Sequence, residues 1–156
     1  MSSQSQKYIG IPNGIVLCVN ERSLYSLSAV MWHGYREDGI EISDEGQLLF
    51  VMDAFFDEIN YPFPATTTRS FQGPETPHRR KEHNRVMSDE KLLEKHGDLG
   101  TFIIRVQQRQ NSSWQGRITW VEENKTMNFR SMWEMVKLID SALDTVSADE
   151  EVSWDK

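Results

Sequence analysis

Cysteine is almost absent from this chain. Cys18 is the only one among 156 residues, which excludes an internal disulfide framework and a cysteine-rich zinc site. Long hydrophobic runs are absent too: the apolar run 15–19 is far shorter than the about 20 residues a membrane-spanning helix needs, so no membrane association is expected. Basic residues are in deficit, Lys+Arg 17 against Asp+Glu 24, and the formal charge of −7 argues against a nucleic-acid surface spread over the whole molecule. Proline is scarce except at Pro62, Pro64, Pro74 and Pro77. The opening residues MSSQSQKY lack the basic-then-apolar pattern of a signal peptide, so a cytoplasmic location is expected.

What is present repeats. The stretches 14–58 and 101–145 align without a gap at an offset of 87 residues. Ile15, Leu17 and Val19 fall on Phe102, Ile104 and Val106, and Arg22 falls on Arg109. Leu27, Met31 and His33 fall on Trp114, Ile118 and Trp120, and Asp53 and Asp57 fall on Asp140 and Asp144. Identities are few, but the hydrophobic pattern and the capping signals recur together.

Each copy reads strand, strand, short strand, helix. Phe102, Ile104 and Val106 alternate with Ile103, Arg105 and Gln107, the period of a half-buried strand. A second strand puts Trp114, Gly116, Ile118 and Trp120 on one face and Gln115, Arg117 and Thr119 on the other. A third, short strand covers 126–129. Both helices open with a capping box, Asp44 with Gln47 and Ser131 with Glu134. Leu48, Met52, Phe55 and Ile59 then make a core stripe, matched by Met132, Val136, Ile139, Leu143 and Val146. The expected fold class is α+β: two pseudo-symmetric βββα repeats fused into one antiparallel-sheet domain with packed helices. Its parts are repeat 1 at 14–60, a connector at 61–100 with a short helix over 89–96, repeat 2 at 101–146 and a frayed acidic tail at 147–156.

The segment RQNSSWQGRITWVEENKTMNFRSMWEMVKLIDSAL resembles a motif of uncharacterised small proteins from Gram-positive anaerobes. That motif is an Arg-Gln-Asn-x-Ser-Trp-Gln-Gly strand pair, a Phe-Arg-Ser helix start and a Leu/Ile-Asp-x-Ala-Leu helix end. The upstream MDAFFDEINYPFPATTTRSF resembles the same family's first helix and its proline-containing exit. The resemblance covers roughly two-thirds of the chain and implies one bacterial fold. The group has no established activity, so no catalytic residue carries over.

Candidate sites start with the outward face of the second strand pair. Arg105, Gln107 and Arg109 project together from one strand, with Gln115 and Arg117 beside them on the next. Guanidinium forks and amides on a flat sheet suit phosphates or base edges. Arg105-x-x-x-Arg109 and Asn111-x-Ser113-x-x-Gly116 also resemble the two signatures of PilZ domains, which bind cyclic di-GMP. Here the two lie a single residue apart, which breaks that family's geometry. The connector holds Arg69, Arg79, Arg80, Lys81 and Arg85 against Glu75 and Glu82, a basic patch that could meet an acidic partner or the chain's own acidic tail. His78, His83 and His96 have no metal-site spacing, and no metal or other cofactor is expected. Cys18 reads as a buried thiol, His33 as a core or interface imidazole, and the aspartate pairs as solvated faces. In the first copy the outer face carries Cys18, Val30 and Trp32, so something must cover it. Trp32 and the helix residue Trp133 are candidate protein contacts.

These features point to a non-enzymatic binding, adaptor or regulatory protein acting through a sheet face and the connector. Its expected partner is another protein, and homodimerisation is open. The alternatives are a nucleic-acid or nucleotide binder using the Arg-rich face, and a hydrolase for which no constellation is visible.

Overall fold

The first strand is buried on both sides, because it sits at the middle of a sheet with cover on both faces. In the computed structural model, β1 (Ile15–Arg22), β2 (Leu27–His33) and β3 (Ile40–Ile42) form a meander that feeds helix α1 (Glu45–Ile59). After a one-turn helix α2 (Asp89–Leu92), β4 (Gly100–Gln110), β5 (Ser113–Trp120) and β6 (Lys125–Phe129) form a second meander that feeds α3 (Met132–Trp154). The structure describes residues 9–24, 26–62, 71, 85–110 and 113–154, with the side chains of 110 and 147–154 excepted. The connector residues Arg69, His78, Arg79, Arg80, Lys81 and His83 lie outside these.

The six strands form one antiparallel sheet in the order β3-β2-β1-β4-β5-β6. The two meanders meet at β1 and β4, where Ile15 faces Ile104, Val16 faces Ile103 and Leu17 faces Phe102. The fold is therefore α+β, a six-stranded antiparallel sheet with three helices among the described residues.

Side-chain alternation divides the core in two. Ile15, Leu17 and Val19 join Phe102, Ile104 and Val106 under α1 and α3, whose buried stripes supply Leu48, Met52, Phe56, Val136, Ile139 and Leu143. On the opposite face Val16, Cys18 and Ile103 meet Ile9, Met87 and Leu92. The end of the connector thus covers the outer face of the central strands. It is pinned there by Val86 and Met87, whose amides both donate to the Gly34 carbonyl at 2.8 and 3.1 Å.

Both capping boxes form, one residue displaced from the simplest reading. Asp44 Oδ1 accepts from the Gln47 amide at 2.7 Å, and Ser131 Oγ accepts from the Glu134 amide at 3.0 Å. The returning Gln47 and Glu134 oxygens accept from Ser43 and Arg130, the residues before each cap. Asn60 ends α1 in the left-handed region at φ 57°.

Two expectations about helix length need correction. The connector helix spans Asp89–Leu92 rather than 89–96. The amides of Glu94 and Lys95 turn to carbonyls three residues back, and the Gly97 amide donates to Thr101 Oγ1 at 3.0 Å. Chain 97–99 crosses the end of β1 so closely that a Cβ on Gly97 would lie 2.4 Å from the Val19 nitrogen. The acidic tail, expected to fray after 146, continues α3 to Trp154.

Candidate functional site

A one-residue irregularity decides where the arginines point. The β1–β2 register slips between Val19 and Glu21, and the β4–β5 register slips between Val106 and Gln108. Asn20 and Gln107 are the extra residues, and a bulge of this kind reverses the facing of everything beyond it. Arg22 therefore lies beside Leu27, and Arg109 beside Trp114, on the helix-covered side.

Arg109 is consequently not on the outer face with Arg105, as the alternation alone predicts. Its side chain is 3% exposed. Nη1 donates to Asp53 Oδ1 at 3.0 Å and Asp57 Oδ1 at 2.9 Å, and Nε donates to the Pro62 carbonyl at 2.7 Å. The guanidinium also lies 5.5 Å above the Phe56 ring. Arg22 makes the matching contacts in the other direction, with Asp144 at 2.6 Å and Asp140 at 3.6 Å. The aspartate pairs, expected to be solvated, each hold an arginine from the end of a distant strand. Asp53, Asp57 and Asp144 are half-exposed or more and Asp140 is partly buried, which is how the helical wheel could place them away from the apolar stripe.

The remaining face residues separate by exposure. Arg105 is buried and donates to Thr119 Oγ1 at 3.3 Å, and Thr119 in turn bonds Thr126. Gln107, Gln115 and Arg117 are exposed, with Asn128 opposite Arg117 on β6. Trp32 is not an open contact residue: it packs on the outer cluster, with Lys95 Nζ 4.2 Å above its ring. Trp133 is 69% exposed, with Lys137 Nζ 4.9 Å from its ring. Arg79 and Arg80 fall outside the described residues.

The groups with chemical potential are tied to structure. Burial pushes the Cys18 thiol up to about 11, with Glu122 adding to the rise and Lys95 opposing it. His33 stacks on Phe55 at 3.8 Å, and its Nδ1 accepts from the Tyr35 amide at 3.1 Å. Burial, helped by Arg36, lowers its pKa to about 4. The unfolded imidazole takes a proton near 6.5 that the folded one refuses, so stability is expected to fall as the pH drops through this window. His33→Phe should remove about 2 kcal/mol of that loss, measured by urea unfolding across the window. An equal acid loss in wild type and variant would show that His33 is not its source.

Sequence reasoning missed two features. The first is a polar cleft of about 310 Å³ between the β1–β2 turn and the start of α1, lined by Arg22, Asp44, Glu45 and Asp140 among others. There burial, and then the neighbouring Asp140, push Glu45 up to about 7 against the pull of Arg22 and Lys137. Nothing local marks it, because Glu45 and Asp140 are distant in the chain. The second is an apolar cleft of about 220 Å³ between α3 and the β4–β5–β6 sheet, with Phe102, Ile118, Trp120 and Ala142 in its walls and Lys125 beside them. A signal for it exists: at the same 87-residue offset, Phe55 becomes Ala142.

Among the described residues no group of three or more His, Cys, Asp or Glu side chains could hold a metal ion, and no helix is long and apolar enough to cross a membrane. No protein-family model matches the chain, and no curated protein or solved structure is significantly similar to it.

Proposed function

We propose that this is a non-enzymatic binding protein, built on two copies of a βββα unit, whose second copy presents the contact surface for another protein. The duplication is supported by features that coincide at one offset: the element order, the bulge residues Asn20 and Gln107, the displaced capping boxes, and the arginine–aspartate pairs. The β1–β4 register places Val16 opposite Ile103, its own equivalent at that same offset, as a twofold relation between the copies would require.

The observation that carries the binding role is the asymmetry of the outer sheet face. In the first copy Val16, Cys18 and Trp32 lie under Met87, Leu92 and Lys95. In the second copy Gln107, Gln115, Arg117 and Asn128 stay exposed on β4, β5 and β6. Amides and one guanidinium on a flat sheet suit the polar rim of a protein interface, and exposed Trp133 adds an aromatic anchor on the helix side. The nucleic-acid alternative is weakened, since Arg105 and Arg109 both lie in the interior and leave Arg117 as the exposed arginine of the predicted trio.

The test is a quantitative pull-down from the native host. A protein held by the wild type should be lost with Gln115→Glu/Arg117→Glu and retained with Glu41→Lys on β3. Capture indifferent to the face variants, or recovery only of nucleic acid released steeply by salt, would contradict the proposal.

A further inference from the structure

The apolar cleft of the second copy has a filled counterpart in the first, and that comparison identifies what would fit it. At the 87-residue offset Trp120 corresponds to His33 and Ala142 to Phe55. In the first copy the Phe55 ring lies on the His33 ring, centroids 3.8 Å apart and planes within 14°. Phe55 is thereby almost wholly buried. In the second copy residue 142 ends at its β-carbon, and the cleft of about 220 Å³ opens beside Trp120. The side chain that Ala142 lacks relative to Phe55 is one aromatic ring.

One charged side chain bounds the same space. Lys125 lines the cleft with its ammonium 6.0 Å from the Trp120 ring, and the corresponding position in the first copy is Asp38, of opposite charge.

We propose that this cleft binds a small molecule carrying one aromatic ring and a carboxylate on a short arm. The ring stacks on Trp120, in the place that Phe55 fills over His33, and the carboxylate accepts from Lys125. A cavity of about 150 Å³ is enough to admit benzene, so about 220 Å³ takes a ring with a short acidic arm. Phe102, Ile118 and Ala142 supply apolar contact around it. The inference rests on the correspondence between the two copies, and it concerns the helix side of the sheet rather than the outer face.

The test is titration calorimetry of the intact protein with benzoate and phenylacetate, beside benzyl alcohol (ring without charge) and acetate (charge without ring). Saturable binding of the aromatic acids is expected, at least about tenfold tighter than either control. Lys125→Gln should weaken the acids about tenfold and leave benzyl alcohol unchanged. Ala142→Phe should abolish acid binding while raising the melting temperature, because the new ring fills the cleft. Ala142→Leu gives the same reading of binding with a smaller side chain. No saturable binding of either acid, equal binding of benzyl alcohol, or acid binding that survives both substitutions at 142 would overturn the proposal. A rise in melting temperature without any acid binding would overturn the ligand assignment and leave the correspondence between the copies standing.

Discussion

Gly116→Ala is expected to be the most damaging single substitution in the sheet, costing more than about 4 kcal/mol. A β-carbon at Gly116 would lie 2.0 Å from the Arg105 carbonyl oxygen and 2.9 Å from the Val106 Cα. Both are backbone atoms, so no side chain can swing aside. Gly116 faces Val106 immediately before the β4 bulge, where the two strands approach closely. Relief requires parting β4 from β5, and that loosens Trp114 and Ile118 from the core they share with Phe56 and Phe102. A domain stable by about 5–15 kcal/mol cannot lose such a pairing cheaply. Gly46→Ala is the control: its β-carbon would meet only Asp44 Oδ1 at 3.3 Å, in the first turn of α1. There alanine is expected to be neutral or to stabilise by up to about 1 kcal/mol. Urea unfolding of the two variants should separate them clearly, and similar midpoints would contradict the steric account of Gly116.

Much of this architecture was legible in the amino-acid sequence because the signals involved are local. The stripe Leu48, Met52, Phe55 and Ile59, the caps at Asp44 and Ser131, and the alternation from Phe102 to Val106 each depend on neighbours within a turn or a strand. They appear in the structure at the expected places. The facing of Arg109 was not legible. Period-two projection carries Arg109 outward with Arg105, and the one-residue slip at Gln107 reverses it. Nothing about a glutamine announces a bulge, since its cause lies in how β4 and β5 pair rather than in either strand alone. The fates of Asp53 and Asp57 follow from the same slip, because their partner arrives from a strand more than fifty residues away. The α2 region failed for a related reason: Ser88 caps as expected, but the passage of 97–99 over Val19 stops the helix early.

The strand-end arginines carry the second large effect. Arg109→Ala is expected to cost about 3 kcal/mol, since it leaves the Pro62 carbonyl without its donor, uncovers Phe56 and takes the guanidinium from Asp53 and Asp57 of α1. The cost stays at the lower end for a buried ion because the aspartates, 51% and 54% exposed, can recover water. Arg22→Ala should cost about 1 kcal/mol or less, because Arg22 is 23% exposed and its Asp144 partner 69%. A mere count of ion pairs would rate the two alike. Burial separates them.

These contacts also embody how the two meanders hold together: each one's strand-end arginine grips the helix that follows the other. The direct measurement is a pair of mutant cycles by urea unfolding, one combining Arg109→Ala with Asp53→Ala/Asp57→Ala, the other with Asp140→Ala/Asp144→Ala. Arg109 should couple to Asp53 and Asp57 by about 1–2 kcal/mol and to Asp140 and Asp144 by less than about 0.5 kcal/mol. Coupling of Arg109 to Asp140 and Asp144, the pair on the helix of its own meander, would contradict the interlocked arrangement.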